Sequence, residues 1–359
     1  MIAALSFLLS LGQSKFVPPY KVLLDALGVA EAKFMLGSQS TNVRIEKDIL
    51  SVVAQGKENP LVLPDWMNIP MTQVQGSDIW VGRAILSDWR SLFFTYEVKD
   101  GERRISRVFW GPRAPHHEEA KGRLKGTIKE FKIPSVTLSE DRVITVYMPP
   151  GNPVGVPAVY AADGTAEGYA RVLEPLILAK KVRPCAIIGV HNGGYRGDSK
   201  APFDFAKDFR AKEYLKIYDP ERYNQHLKFF ADEVPKWAEH EFRLSTGRDN
   251  RIITGFSNGG AFALTAAVDR PEVFAASMAF SIAAHNPTEV EKDMVGKDLP
   301  HFYIVAGALE SFSLGTERMA GILKKHGAKV DFNTYLTGHD WEMWKIAFGR
   351  YMTKALPAR

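Results

Sequence analysis

Two hydrophobic rhythms divide the chain. In its first third, apolar and polar residues alternate over short runs at Asn42–Ile45, Ile79–Leu86, Leu92–Val98 and Ser106–Trp110. Turn signals such as Asp100-Gly101 separate them. Alternation with period two marks strands that bury one face. Lys33–Ser38 reads as a further strand, and Pro19–Gly28 as a short helical stretch. Together these segments predict a small all-β sandwich over residues 15–112. Gly111-Pro112-Arg113-Ala114-Pro115 and the charged run to Lys125 break the pattern, predicting a linker over 113–125.

From Gly126 the rhythm changes, and strand-like and helix-like runs alternate to the C-terminus. Expected strands are Thr127–Leu138, Val143–Met148, Val156–Ala161, Pro184–Val190, Arg251–Thr254, Phe274–Phe280, His301–Ala306 and Lys329–Tyr335. Helices are expected near residues 166–180, 222–242, 261–267 and 315–326, and at the C-terminus. Runs such as Cys185-Ala186-Ile187-Ile188-Gly189-Val190 are continuously apolar, as in a sheet covered on both faces. The expected architecture over 126–359 is an eight-stranded, mostly parallel sheet with helices on both sides. No internal repeat or low-complexity segment interrupts it.

Composition narrows the function classes. The 359 residues, 45% apolar and 24% charged, suit two globular domains. A net charge of +5 is spread along the chain without a dense basic block, which argues against nucleic acid. The densest basic stretch, Arg196, Lys200, Lys207, Arg210 and Lys212, reads first as a solvated loop, with Arg196 a candidate contact for an anionic substrate. The single cysteine, Cys185, excludes an internal disulfide and a cysteine-based metal site, and reads as a small core hydrophobe. His116-His117-Glu118-Glu119 has no further ligand near it in sequence, so neither metal nor cofactor is expected. Residues 1–14 form an apolar run of export-signal length, too short to span a membrane, which points to a periplasmic or secreted protein. A helix docked on the first domain, in a cytoplasmic protein, is the competing reading of that run.

The chemistry centres on Gly255-Phe256-Ser257-Asn258-Gly259-Gly260. An apolar run precedes it and a helix-forming run, Ala261–Ala267, follows. Gly-x-Ser-x-Gly in a strand–turn–helix context presents a nucleophilic serine on a sharp turn. A base is needed next, and an acid to orient it. His339 follows the last expected strand; Glu310 follows the one before, and Asp331 is the runner-up acid. The backbone N–H of Asn258 and that of Thr165, after the strand Val156–Ala161, are the candidate oxyanion donors. Gly164, beside Thr165, and Trp341, just beyond His339, are candidate substrate contacts, and His191-Asn192-Gly193-Gly194 is a loop lining the cleft. The remaining histidines, His285, His301 and His326, read as structural or peripheral, and Arg210 with Glu213 as an ion pair bracing the cleft.

Several of these stretches together resemble the esterase D-like α/β-hydrolases, and among them the enterochelin (siderophore) esterase-like branch. The resemblance rests on Arg142-Val143-Ile144-Thr145-Val146-Tyr147-Met148-Pro149-Pro150-Gly151, Tyr160-Ala161-Ala162-Asp163-Gly164, Arg210-Ala211-Lys212-Glu213-Tyr214-Leu215, the Ser257 motif and Gly338-His339-Asp340-Trp341. It implies an α/β-hydrolase domain preceded by an immunoglobulin-like domain, and ester hydrolysis by a Ser257, His339, Glu310 triad without metal. The implied substrate is a small-molecule or glycan-linked carboxylic ester. Acyl transfer on the same fold, or a carbohydrate-binding protein with an inactive site, are competing readings. The full set of triad positions argues against the latter.

Overall fold

The computed structural model describes residues 20–358, so the apolar run read as an export signal lies outside the described residues. Eight strands come first: β1 (Tyr20–Leu23), β2 (Thr41–Glu46), β3 (Ile49–Gln55), β4 (Leu61–Val62), β5 (Thr72–Gln73), β6 (Ile79–Leu86), β7 (Phe93–Asp100) and β8 (Arg103–Trp110). They form an antiparallel five-stranded sheet, β1-β6-β3-β2 with β5 on β6, and a three-stranded sheet, β4-β7-β8. Leu50, Val52, Leu61, Ala84, Leu92 and Phe94 fill a shared core.

Two local expectations fail here. Lys33–Ser38 is not a strand; Val29–Leu36 is a helix. Its apolar contacts, Ala32, Met35 and Leu36, recur at helical spacing, and good helix formers precede them. Pro19–Gly28 is not helical, since β1 occupies Tyr20–Leu23 and pairs with β6. The strand β3 escaped the alternation test because Leu50 to Ala54 are all buried, which erases the period-two signal.

The C-terminal part matches its expected order. The strands β9 (Thr127–Ser135), β10 (Glu140–Met148), β11 (Ala158–Ala161), β12 (Ala186–Val190), β13 (Arg251–Phe256), β14 (Ala276–Phe280), β15 (His301–Gly307) and β16 (Val330–Tyr335) form one eight-stranded sheet. Its order is β9-β10-β12-β11-β13-β14-β15-β16. β10 runs antiparallel to β9 and β12; the rest is parallel. Helices Ala166–Leu178 and Trp341–Ala355 pack on one face, helices Asn258–Asp269 and Ser313–Lys325 on the other. The sheet therefore gathers every loop at its C-terminal edge on one rim. The expected linker has neither helix nor strand, yet it is docked: Ala120 N–H donates to Arg171 O at 2.7 Å. Among the described residues no helix is long and apolar enough to cross a membrane.

A buried charge network stiffens one side of the rim. Arg142 and Arg222 both bind Glu213, which is 0% exposed, and His226 lies beside it. Burial lowers the His226 pKa to about 4. The unfolded chain, with its histidine near 6.5, therefore takes up a proton that the folded chain refuses. Stability is complete above about pH 6.5 and declines as the pH falls toward 4. We expect the urea midpoint to fall between pH 7 and pH 5, and a His226→Leu variant to show a shallower fall than the wild type.

Candidate active site

The turn after β13 holds Ser257 at φ 58°, ψ −126°, a left-handed conformation for a residue with a Cβ. Close packing keeps it there. A Cβ at Gly255 would overlap the Gly259 backbone, and one at Gly260 would overlap the Phe280 carbonyl. Ser257 N–H donates to Phe280 O at 3.0 Å, and Ser257 O accepts from Ala261 and Ala283 at 3.0 and 3.2 Å. Asn258 opens the following helix, so its N–H lies in the first turn, where intrahelical acceptors are lacking.

His339 stands between β16 and helix Trp341–Ala355, and Glu310 follows β15. The His339 Nδ1 lies 2.7 Å from Glu310 Oε2. Glu310 is 1% exposed, and its other oxygen accepts the Gly307 N–H at 2.9 Å. With Nδ1–H given to the carboxylate, Nε2 keeps its lone pair for a hydroxyl proton. No hydrogen bond joins Ser257 Oγ to His339, whose polar partner is Glu310. Trp344 links the two: its ring stacks on Phe256 at 4.1 Å and meets the His339 ring edge-on at 4.8 Å. Asp331, the runner-up acid, is bound instead to His301 and Lys354.

The remaining candidates take varied places. Asp163 (φ 61°) and Gly164 (φ 66°) form a tight turn after β11, and the Thr165 N–H points back at Ala162 O at 3.4 Å. His191 packs against Gly164, with its Nε2 2.8 Å from Thr145 Oγ1; burial lowers its pKa. Trp341 joins the aromatic wall, 5.2 Å from Phe256 and 5.3 Å from Tyr169. Arg196 binds Glu140 at 2.7 Å, a carboxylate it shares with Arg142 and Arg222, and stacks on Phe209. His117, Glu119 and Glu342 converge, a grouping invisible in sequence because Glu342 lies far along the chain, and Lys345 supplies the cation between the two glutamates.

The expected Arg210–Glu213 pair does not form. Arg210 instead grips Asp163, at 2.7 and 2.9 Å, while Glu213 accepts the Gly193 N–H at 2.7 Å. Tyr214 Oη accepts the Asp163 N–H at 2.8 Å, and Asn192 Nδ2 donates to Asp163 at 2.7 Å. Helix Phe209–Tyr214 therefore ties both rim loops together. Arg210 and Glu213 stand three residues apart on one helix face, a spacing that permits a pair, but each is claimed from outside the helix: Arg210 by Asp163, Glu213 by Arg142 and Arg222.

Sheet order and the serine turn define an α/β-hydrolase. The model of the putative esterase family matches residues 135–354; the chain belongs to that family and is a carboxylic ester hydrolase. It is 24% identical over 246 residues to the uncharacterized protein YjcH of Bacillus subtilis (strain 168), covering 61% of this chain and 93% of that one. The enterobactin esterase FES from Shigella flexneri has a similar fold, with TM-score 0.68 at 14% identity over 92% of this chain and 99% of its own. The ferric enterobactin esterase from Salmonella typhimurium gives 0.69 at 13% identity, over 88% and 96%. A ferulic acid esterase from Anaeromyces mucronatus gives 0.52 at 17% identity, over 66% and 93%.

Because Arg210 grips the turn that carries the second candidate oxyanion donor, Thr165, Arg210→Met should lower turnover of p-nitrophenyl acetate by roughly tenfold while the chain still melts cooperatively. Steady-state kinetics alongside a thermal melt check this.

Proposed function

We propose that this chain cleaves its ester through Ser257, His339 and Glu310. The observation that carries the reading is the 2.7 Å contact between His339 Nδ1 and Glu310, which leaves Nε2 for the serine. Ser257 Oγ attacks the ester carbonyl carbon as His339 Nε2 takes its proton. The tetrahedral oxyanion is held by the Asn258 N–H and a second N–H of the 162–165 turn; Thr165, the candidate, gives up its 3.4 Å contact with Ala162 O to reach it. Each donor contributes about 3 kcal/mol to lowering the barrier. Collapse expels the alcohol, which leaves with the proton from His339. Water, deprotonated by the same nitrogen, then releases the acid. Glu310 holds the ring and stabilises its cation throughout.

The substrate we propose is a siderophore-type ester. The likeness to enterobactin esterases spans 92% and 88% of this chain and so takes in the N-terminal sheets. The likeness to ferulic acid esterases spans 64% and 66%, about the extent of the eight-stranded part. On this reading the N-terminal strands are an immunoglobulin-like domain shared with siderophore esterases. A carbohydrate-linked ester is the competing substrate.

Ser257→Ala should cut p-nitrophenyl acetate turnover by about 10⁴-fold or more with the fold intact. Glu310→Gln should cost roughly 10³–10⁴-fold, Asp331→Asn little. The reverse order would move the acid to Asp331. Ferric enterobactin should outrun methyl ferulate and acetylated xylan in a direct comparison of kcat/KM; preference for either of the latter would refute the siderophore reading.

A further inference from the structure

The N-terminal sheets touch the hydrolase part at the two loops that bear His339 and Glu310. Phe93 N–H, at the start of β7, donates to Leu336 O at 3.3 Å. Leu309, next to Glu310, is buried in the N-terminal core beside Leu92 and Phe94. Two contacts bracket the histidine itself. On one side, the Trp66 indole lies directly against Gly338, so that a Cβ there would overlap the ring. Gly338 does not have a positive φ; the tryptophan, not the backbone conformation, demands the glycine. On the other side, Asp340 is 3% exposed and accepts the Thr95 N–H at 2.7 Å and the Thr95 hydroxyl at 3.1 Å. Its third donor is the Glu342 N–H at 2.9 Å, and no cation pairs with it among the described residues. A buried carboxylate that depends on three hydrogen bonds resists displacement strongly, because each lost bond leaves charge unsatisfied.

We propose that Trp66 and Thr95 are positioning residues for His339: one side chain from the N-terminal sheets on each side of the histidine sets where its ring stands relative to Ser257. The inference rests on His339 being the base. It makes the N-terminal sheets part of the catalytic apparatus, beyond any role in holding substrate. Displacement of one flank moves the Nε2 lone pair off the serine proton, which slows acylation without weakening substrate binding.

Full-chain variants test this with p-nitrophenyl butyrate, counting functional sites by exhaustive fluorophosphonate labelling. Thr95→Val should lower kcat per labelled site by about tenfold with KM nearly unchanged, and Thr95→Ser should retain wild-type kcat. Gly338→Ala should lower kcat similarly, because the new methyl pushes the loop off the Trp66 ring, and Trp66→Leu alone should also lower kcat per labelled site with KM nearly unchanged, because that flank then lacks its ring. Wild-type kcat per site in Thr95→Val, equal losses in Thr95→Val and Thr95→Ser, or wild-type kcat per site in both Gly338→Ala and Trp66→Leu would each overturn the proposal. Should Thr95→Val fail to fold, the Gly338 and Trp66 pair decides alone. His339→Ala is assayed in parallel: retained activity there would sink the base assignment, whatever the flanking variants do.

Discussion

Everything at the rim depends on holding Ser257 in a conformation its side chain disfavours. A left-handed φ at a residue with a Cβ costs about 1–3 kcal/mol, and it persists only where surroundings over-determine it. Here they do. β13 and helix Asn258–Asp269 meet at so sharp an angle that backbone touches backbone at Gly255 and Gly260. β14 then clamps the turn through Phe280 O. Ser257 thereby stands at the turn between strand and helix, and Asn258, the next residue, opens the helix. The other groups need only be brought to a point that the turn has already defined.

How each part is supported decides how much of it sequence reveals. The eight-stranded sheet was legible because burial on both faces of its central strands writes continuous apolar runs. That Ser257, Glu310 and His339 stand on one rim was legible from order alone, since each follows a different strand of one sheet. β3 was lost to the same continuity when it occurred inside a domain expected to alternate. The helix Val29–Leu36 was misread because Lys33-Phe34-Met35-Leu36 looks strand-like unless Ala32 is counted with it. Partners were the least legible. Arg210 joins Asp163 across 47 residues and Thr95 joins Asp340 across 245, and no local pattern encodes such pairings.

The N-terminal sheets are tied to the rest by more than chain continuity. Phe93 sits in the core beneath helix Trp341–Ala355, while Leu309 sits in the core between the N-terminal strands. Each part therefore completes the other's interior. Separating them would expose both residues and strip Asp340 of two of its three donors. A module evolved only to bind substrate has no physical need for such an exchange; a flexible tether would serve it. The interlocking makes sense where the relative position of the two parts matters to a group at their boundary, and His339 is that group.

The same boundary explains why two buried carboxylates can stand beside one histidine without competing for it. Asp340 adjoins His339 in the chain, but its oxygens are committed: Oδ2 to the Thr95 N–H, Oδ1 to the Thr95 hydroxyl and the Glu342 N–H. Glu310 spends one oxygen on the Gly307 N–H and leaves the other for the ring. Were Thr95 absent, Asp340, 3% exposed, would lose two of its three donors, and a buried carboxylate short of donors draws on whichever N–H lies nearest. The threonine thus acts on the histidine twice, by fixing the loop and by occupying the carboxylate that would otherwise draw the ring away from Glu310.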